Sequence, residues 1–138
     1  MPAKDLYHDA VKKALKNDGW TIVVDPFIIH YEDAELYADL AAEKPIAAER
    51  QGQNIVVEIK SFVGKSPMTD FHNALGQYIV YRNLIQLTEP QYQLFLAIDS
   101  LTYSDFFQRP SIQIIVRQNS LNLLVADIPQ ERLEQWIA

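Results

Sequence analysis

The chain has 138 residues, 49% of them hydrophobic and 22% charged, a composition that suits one globular domain with a real core and excludes a disordered tail. It has no cysteine, which excludes disulfides, thiolate nucleophiles and cysteine-type zinc sites and makes a reducing cytoplasm the expected home. A net charge of −6 argues against a broad basic surface that grips bare nucleic acid.

The opening "MPAKDLYHDAVKKALK" is a charged amphipathic stretch without a hydrophobic signal core, and no apolar run approaches the roughly 20 residues that span a bilayer. Residues 5–18 read as a helix: Asp5 can cap it, Leu6, Ala10, Val11, Ala14 and Leu15 form an apolar stripe, and Gly19 stands at the C-terminal cap. "WTIVV" (20–24) is a strand that Asp25-Pro26 ends or bends, and "FIIHY" (27–31) continues extended. "LYADLAA" (36–42) and "PIAAER" (45–50) are strand material, and "QGQN" turns the chain into the strand "IVVEIKSF" (55–62).

A second helix begins after Gly64-Lys65-Ser66-Pro67, with Ser66 or Thr69 as its cap, and ends before Pro90. Phe71, Leu75, Tyr78, Ile79 and Ile85 recur along it at helical spacing. "YQLFLAI" (92–98) suits a central strand buried on both faces, and a short helix is expected around 104–108. "SIQIIVRQ" and "LNLLVADI" flank an Asn119-Ser120 turn as a second hairpin, and Pro129 opens a closing helix, "PQERLEQWI". The expectation is one α/β domain over 1–138, a mixed sheet with helices against it.

Charge is unevenly spread. Residues 25–58 hold eight acids (Asp25, Glu32, Asp33, Glu35, Asp39, Glu43, Glu49 and Glu58) against Lys44 and Arg50, whereas 59–88 carry Lys60, Lys65 and Arg82 against Asp70. Glu58 and Lys60 lie two apart on one strand, hence on one face. On a solvated face that pair is ordinary, and in a cleft its burial is costly without a chemical purpose. Asp39 stands inside apolar strand material, where aspartate is disfavoured. If the strands holding Asp39 and Glu58 are antiparallel neighbours, the two carboxylates converge at a sheet end and can bind Mg²⁺ or Mn²⁺. Lys60 beside them would orient a water or stabilise a phosphoryl transition state, which describes phosphodiester hydrolysis.

Asp followed by Glu-x-Lys, between one helix and the next, resembles the PD-(D/E)XK nuclease superfamily, whose restriction-endonuclease-like αβββαβ core matches residues 5–98. "GQYIVY" (76–81) sets Gln77 and Tyr81 on one helix face, similar to the motif on the corresponding helix of RecB-like members. "DLYHDAVKKALKNDGWTI", "DLAAEKPIAAERQGQNIVVEIKSF" and "ALGQYIVYR", in this order, resemble the XisH family over essentially the whole chain. These are small, mostly cyanobacterial proteins named as controlling factors for excision of the fdxN element. The resemblance implies a nuclease-like fold, to which the expected C-terminal β-hairpin and short closing helix are added, and a role near DNA rearrangement with a recombinase and an XisI-family companion. It places Asp39 and Glu58 as metal ligands, Lys60 as the catalytic lysine, and Gln77 with Tyr81 beside them. Where the superfamily often has an acid on its first helix, this chain offers His8 and Asp9.

Glu49 is a further possible ligand, although a strand running into a turn more often exposes its glutamate. His72 and His30 read as surface or structural residues, and "VGKSP" (63–67) lacks the upstream glycine of a phosphate loop. Lys65 can touch a phosphate backbone, Trp136 and Ile137 can seal a sheet edge, and a homodimer is expected only from the prevalence of symmetric pairs. Two functions follow: a Mg²⁺-dependent DNA endonuclease that borrows basic surface from a partner, or a non-catalytic regulatory subunit that controls a recombinase by protein contacts.

Overall fold

The computed structural model describes residues 3–32, 34–35 and 45–138. Helix α1 (Ala3–Asn17) starts ahead of Asp5, so that residue lies inside the helix rather than capping it. Its buried stripe is Ala10, Val11, Ala14 and Leu15. The helix closes as expected at Gly19, whose φ of 92° is open to glycine at little cost. The Gly19 N–H donates to Lys16 and the Trp20 N–H to Leu15, satisfying two carbonyls of the last turn.

Strand β1 (Thr21–Val24) is followed by a two-stranded ribbon, β2 (His30–Tyr31) and β3 (Ala34–Glu35). Then β4 (Ile46–Arg50) and β5 (Gln53–Ile59) form a hairpin. Its loop is Gln51-Gly52, and both residues take positive φ, the backbone twist a two-residue hairpin favours. The strand expected over 36–42 lies outside the described residues.

Helix α2 (Pro67–Thr88) is capped by the Ser66 hydroxyl, which accepts from the Thr69 N–H at 3.2 Å, with Pro67 in the first turn. It leads to β6 (Gln93–Asp99), α3 (Ser100–Asp105) and a 3₁₀ turn (Phe106–Gln108), then α4 (Pro110–Gln118), β7 (Leu123–Asp127) and β8 (Arg132–Ile137). The six main strands run β1-β4-β5-β6-β7-β8 across one sheet. β5, β6 and β7 are mutually parallel, while β1, β4 and β8 pair antiparallel. The order α1-β1-β4-β5-α2-β6 is the expected αβββαβ core.

Two expectations for the C-terminal third are corrected. Residues 110–118 form α4, not a strand: Pro110 starts a helix, and Ile112, Ile115 and Val116 meet the core at helical spacing despite their β-branched side chains. The closing segment is strand β8, not a helix. A six-residue stretch has too few turns to hold a helix alone, and β7 offers it an unfilled backbone edge. The C-terminal hairpin is therefore β7–β8.

Two apolar layers cover the sheet. On one face α1 packs through Val11 and Leu15 on Ile46, Ile55, Val57, Ile59 and Ala97. On the other, α2 packs through Phe71, Ala74, Tyr78 and Tyr81 on Val56, Leu94, Leu96 and Ile98. The Tyr78 hydroxyl donates to the Leu94 carbonyl and accepts from the Asn122 N–H, each at 3.1 Å, so one buried phenol ties α2 to β6 and to the approach to β7.

Two glycines test the backbone argument with opposite signs. A Cβ on Gly76, inside α2, meets nothing within 4 Å, so Gly76→Ala is expected to stabilise by about 0.5–1 kcal/mol. A Cβ on Gly19 meets only an ordinary contact with Arg50 at 3.5 Å, so the loss in Gly19→Ala, about 1–2 kcal/mol, is backbone strain alone. Urea denaturation of both variants measures the pair.

Candidate functional site

Period-2 alternation decides the side of the sheet on which Glu58 sits. Ile55, Val57 and Ile59 belong to the α1 layer and Val56 to the α2 layer, so Glu58 and Lys60 share the α2 side. Glu58 is 1% exposed and Lys60 is half-buried. Glu58 stands opposite Leu96 of β6, and the Lys60 N–H donates to the Ala97 carbonyl, so the pair occupies the C-terminal end of a central parallel strand. In open α/β sheets that end is where ligands bind.

Helix α2 places two phenols within electrostatic reach of this carboxylate. Burial first, and then the Glu58 charge, push the Tyr81 hydroxyl up to about 12. Burial likewise holds Tyr78 above its usual value, opposed by its Asn122 bond and by Arg82, with Glu58 adding to the rise. The Glu58 charge thus reaches Tyr81 and also Tyr78, which helical spacing had marked only as core. Gln77 lies one turn before Tyr81 on α2 and is half-buried. Asp39 lies outside the described residues.

The remaining candidates sit elsewhere. Glu49 faces Asn54 across the hairpin, four residues from Glu58 and about 13 Å away at 3.3 Å per residue. His8 is on α1, on the opposite face of the sheet. Its Nε2 lies 3.0 and 3.1 Å from the two carboxylate oxygens of Asp25, and the Lys12 ammonium donates to the same carboxylate at 2.8 Å. Burial works to raise the Asp25 pKa, but the bonds from Lys12 and His8 and their charges outweigh it and hold the carboxyl below its ordinary value.

Asp99 ends β6 on the α1 side, 9% exposed, and accepts from the Thr102 hydroxyl. Burial, then the Asp99 charge, raise the pKa of Tyr7 on α1. The signal for Asp99 was present in "FLAIDS": an acid closing an apolar strand sits where a parallel sheet presents its C-terminal ends. Among the described residues no group of three or more His, Asp or Glu converges as a metal cluster, and no helix is long and apolar enough to cross a membrane.

A family model described as XisH protein matches residues 1–134. Two solved structures are similar over nearly the whole chain. One is an fdxN element excision controlling factor protein from Anabaena variabilis, 44% identical with a TM-score of 0.90, the match covering 97% of this chain and 99% of that one. The other is an XisH family protein from Nostoc punctiforme PCC 73102, 40% identical with a TM-score of 0.90, covering 97% of this chain and 100% of that one. No curated protein matches.

Two titrations check these environments. Tyr81 ionises at 10.0 when unfolded and near 12 when folded, so its contribution is complete below pH 10 and is lost as pH rises through the folded value. Glu58→Gln removes the carboxylate charge, and ultraviolet titration is expected to show the last-ionising tyrosine move down. Asp25 has the opposite sign: its contribution exists above the ordinary 3.8 and is lost as pH falls through its depressed folded value. Asp25→Asn is expected to be less stable than wild type at pH 7 by about 1 kcal/mol, with the gap closing well below pH 3.8 in urea melts.

Proposed function

The chain belongs to the XisH family, and from that premise we propose that it serves excision control of a DNA element as a metal-dependent phosphodiester-cleaving subunit that acts with a partner protein. The observation that carries this reading is the placing of Glu58 and Lys60: a carboxylate at 1% exposure and a half-buried lysine on one face, at the C-terminal end of a central parallel strand. That face is the α2 side, where Tyr81 stands and from which Gln77 is one turn away.

Mg²⁺ and Mn²⁺ are commonly held by one or two carboxylates with waters and substrate phosphate completing the shell. Glu58 would supply one such carboxylate and Asp39, outside the described residues, the second, a pair of the kind such an ion takes. Among the described residues no group of three or more His, Asp or Glu forms a dedicated all-protein cage. When bound, the ion supplies positive charge to the phosphate oxygens and acidifies water. Lys60 would orient the attacking water or offset charge developing on the phosphoryl oxygens. Tyr81, with its pKa near 12, keeps its proton at neutral pH and is available as an O–H donor, and Gln77, one turn before it on α2, would shape the same wall.

The partner follows from charge. At −6 the chain carries too little positive charge of its own to hold a DNA backbone tightly, so basic surface would come from a companion of the XisI kind or from the recombinase. The same charge supports the second reading, a non-catalytic subunit that controls the recombinase by contact.

Cleavage of single-stranded, duplex and branched DNA in Mg²⁺ or Mn²⁺, with and without the companion, separates the two. Wild type is expected to cut, with Glu58→Gln and Lys60→Ala folded but slower by roughly 100-fold or more. No cutting under any condition, with partner binding indifferent to both substitutions, would transfer the assignment to the regulatory subunit.

A further inference from the structure

The other end of the sheet holds a concavity of about 450 Å³ between the β4–β5 hairpin and the start of β6. Its floor is aromatic. Trp20 and Trp136 lie with ring centroids 5.5 Å apart, and Phe95 meets Trp136 edge-on at 4.9 Å. Its rim is built of carboxamides, Gln53, Asn54 and Gln93 among them. Asn54 is four residues from Glu58 along β5, about 13 Å at the strand rise, so this concavity is separate from the candidate cleavage site.

Two N–H donors at this place lack an acceptor. Trp20 is 5% exposed, and its indole Nε1 and the Nε of Arg50 are both buried with no hydrogen-bond partner. Both residues line the concavity, and the Arg50 guanidinium lies over the Trp20 ring at 5.0 Å. A buried donor without an acceptor is costly, and a ligand that brings one recovers that cost. The charge of Arg50 is already answered, since its Nη1 donates to the Asp18 carboxylate at 3.0 Å and to the Asp18 carbonyl at 2.8 Å. Glu49 and Asp18 line the adjoining hollow. The surroundings therefore disfavour a phosphate.

Aromatic faces, carboxamide edges and unanswered N–H donors, with no spare positive charge, describe a site for a flat, neutral, hydrogen-bonding ring. We propose that this pocket binds an uncharged heterocycle of the nucleobase class, stacked on the half-buried Trp136 and read at its edge by the rim carboxamides. The nucleobase is favoured over a purely hydrocarbon ring because each donor and carboxamide needs a polar partner. The inference goes beyond the proposed cleavage reading and stands whether or not Glu58 and Lys60 support catalysis.

The chain has two tryptophans, and both lie at this site, so tryptophan fluorescence reports on it directly. The intact chain is titrated with the four common deoxynucleosides and with their 5′-monophosphates. At least one nucleoside is expected to quench saturably, and to bind more tightly than its monophosphate. Gln53→Ala and Gln93→Ala, both at exposed positions that leave the core untouched, are expected to weaken that binding by roughly three- to tenfold each. Quenching that stays linear with every nucleoside overturns the proposal. So does saturable quenching unchanged by both rim substitutions, or a monophosphate that binds more tightly than its nucleoside.

Discussion

Strand β5 is buried on both faces, and that constraint organises the rest of the molecule. Its odd-numbered residues Ile55, Val57 and Ile59 pack in the α1 layer, and Val56 packs in the α2 layer. A strand so placed has no solvent side on which to put a charge, yet Glu58 stands in the α2 layer at 1% exposure. Taking a carboxylate from water costs several kcal/mol unless its surroundings answer it. The consequence is visible in its neighbours, since the Glu58 charge reaches both Tyr78 and Tyr81. Two phenols that remain protonated are compatible with a nearby carboxylate in a way that two phenolates would not be.

Parallel pairing of β5, β6 and β7 gives the sheet two chemically different ends. At the C-terminal ends of β5 and β6 stand Glu58, Lys60 and Asp99, and the Phe27 N–H bond to the Pro45 carbonyl brings the segment after Asp25 to the same end. The His8–Asp25–Lys12 cluster lies there on the α1 side, so one end of the sheet carries polar groups on both faces. The opposite end carries aromatic rings and amides, with Asp18 and Glu49 near them. The proposed function assigns phosphate chemistry to the first end, and the proposed ring-binding pocket lies at the second. Under the proposed function, a net charge of −6 fits a division in which this chain would supply the chemistry and a partner much of the hold on nucleic acid.

Local signals read well wherever a covalent or steric rule acts on few residues. Gly19 at the end of α1, the Gln51-Gly52 turn and the Ser66-Pro67 start of α2 follow from backbone preferences and short-range hydrogen bonds. The errors fall where local preference and tertiary pairing disagree. "SIQIIVRQ" has strand-like residues, but Ile112, Ile115 and Val116 bury one helical face. "RLEQWI" has helix-like residues, but β7 supplies hydrogen-bond partners that a short isolated helix cannot replace. Of the candidate residues, Glu58 and Tyr81 share the α2 side of the sheet and interact electrostatically, while Glu49 and His8 belong to other places. Spacing along the chain cannot tell those cases apart, because strand pairing moves residues apart or together by whole sheet lengths.

By itself, the sequence determined the αβββαβ order, the faces of α1 and α2, and the common face of Glu58 and Lys60. Helical period, two-residue alternation and turn chemistry are properties of neighbours along the chain. Only the tertiary structure decided that β5 is central and covered on both faces, that the Glu58 charge reaches Tyr78 and Tyr81, and that His8 engages Asp25 behind the sheet. Only it gathered Trp20, Phe95 and Trp136, from three distant segments, into one pocket. These are consequences of strand order and layer packing, which depend on how far-separated segments compete to bury the same apolar area.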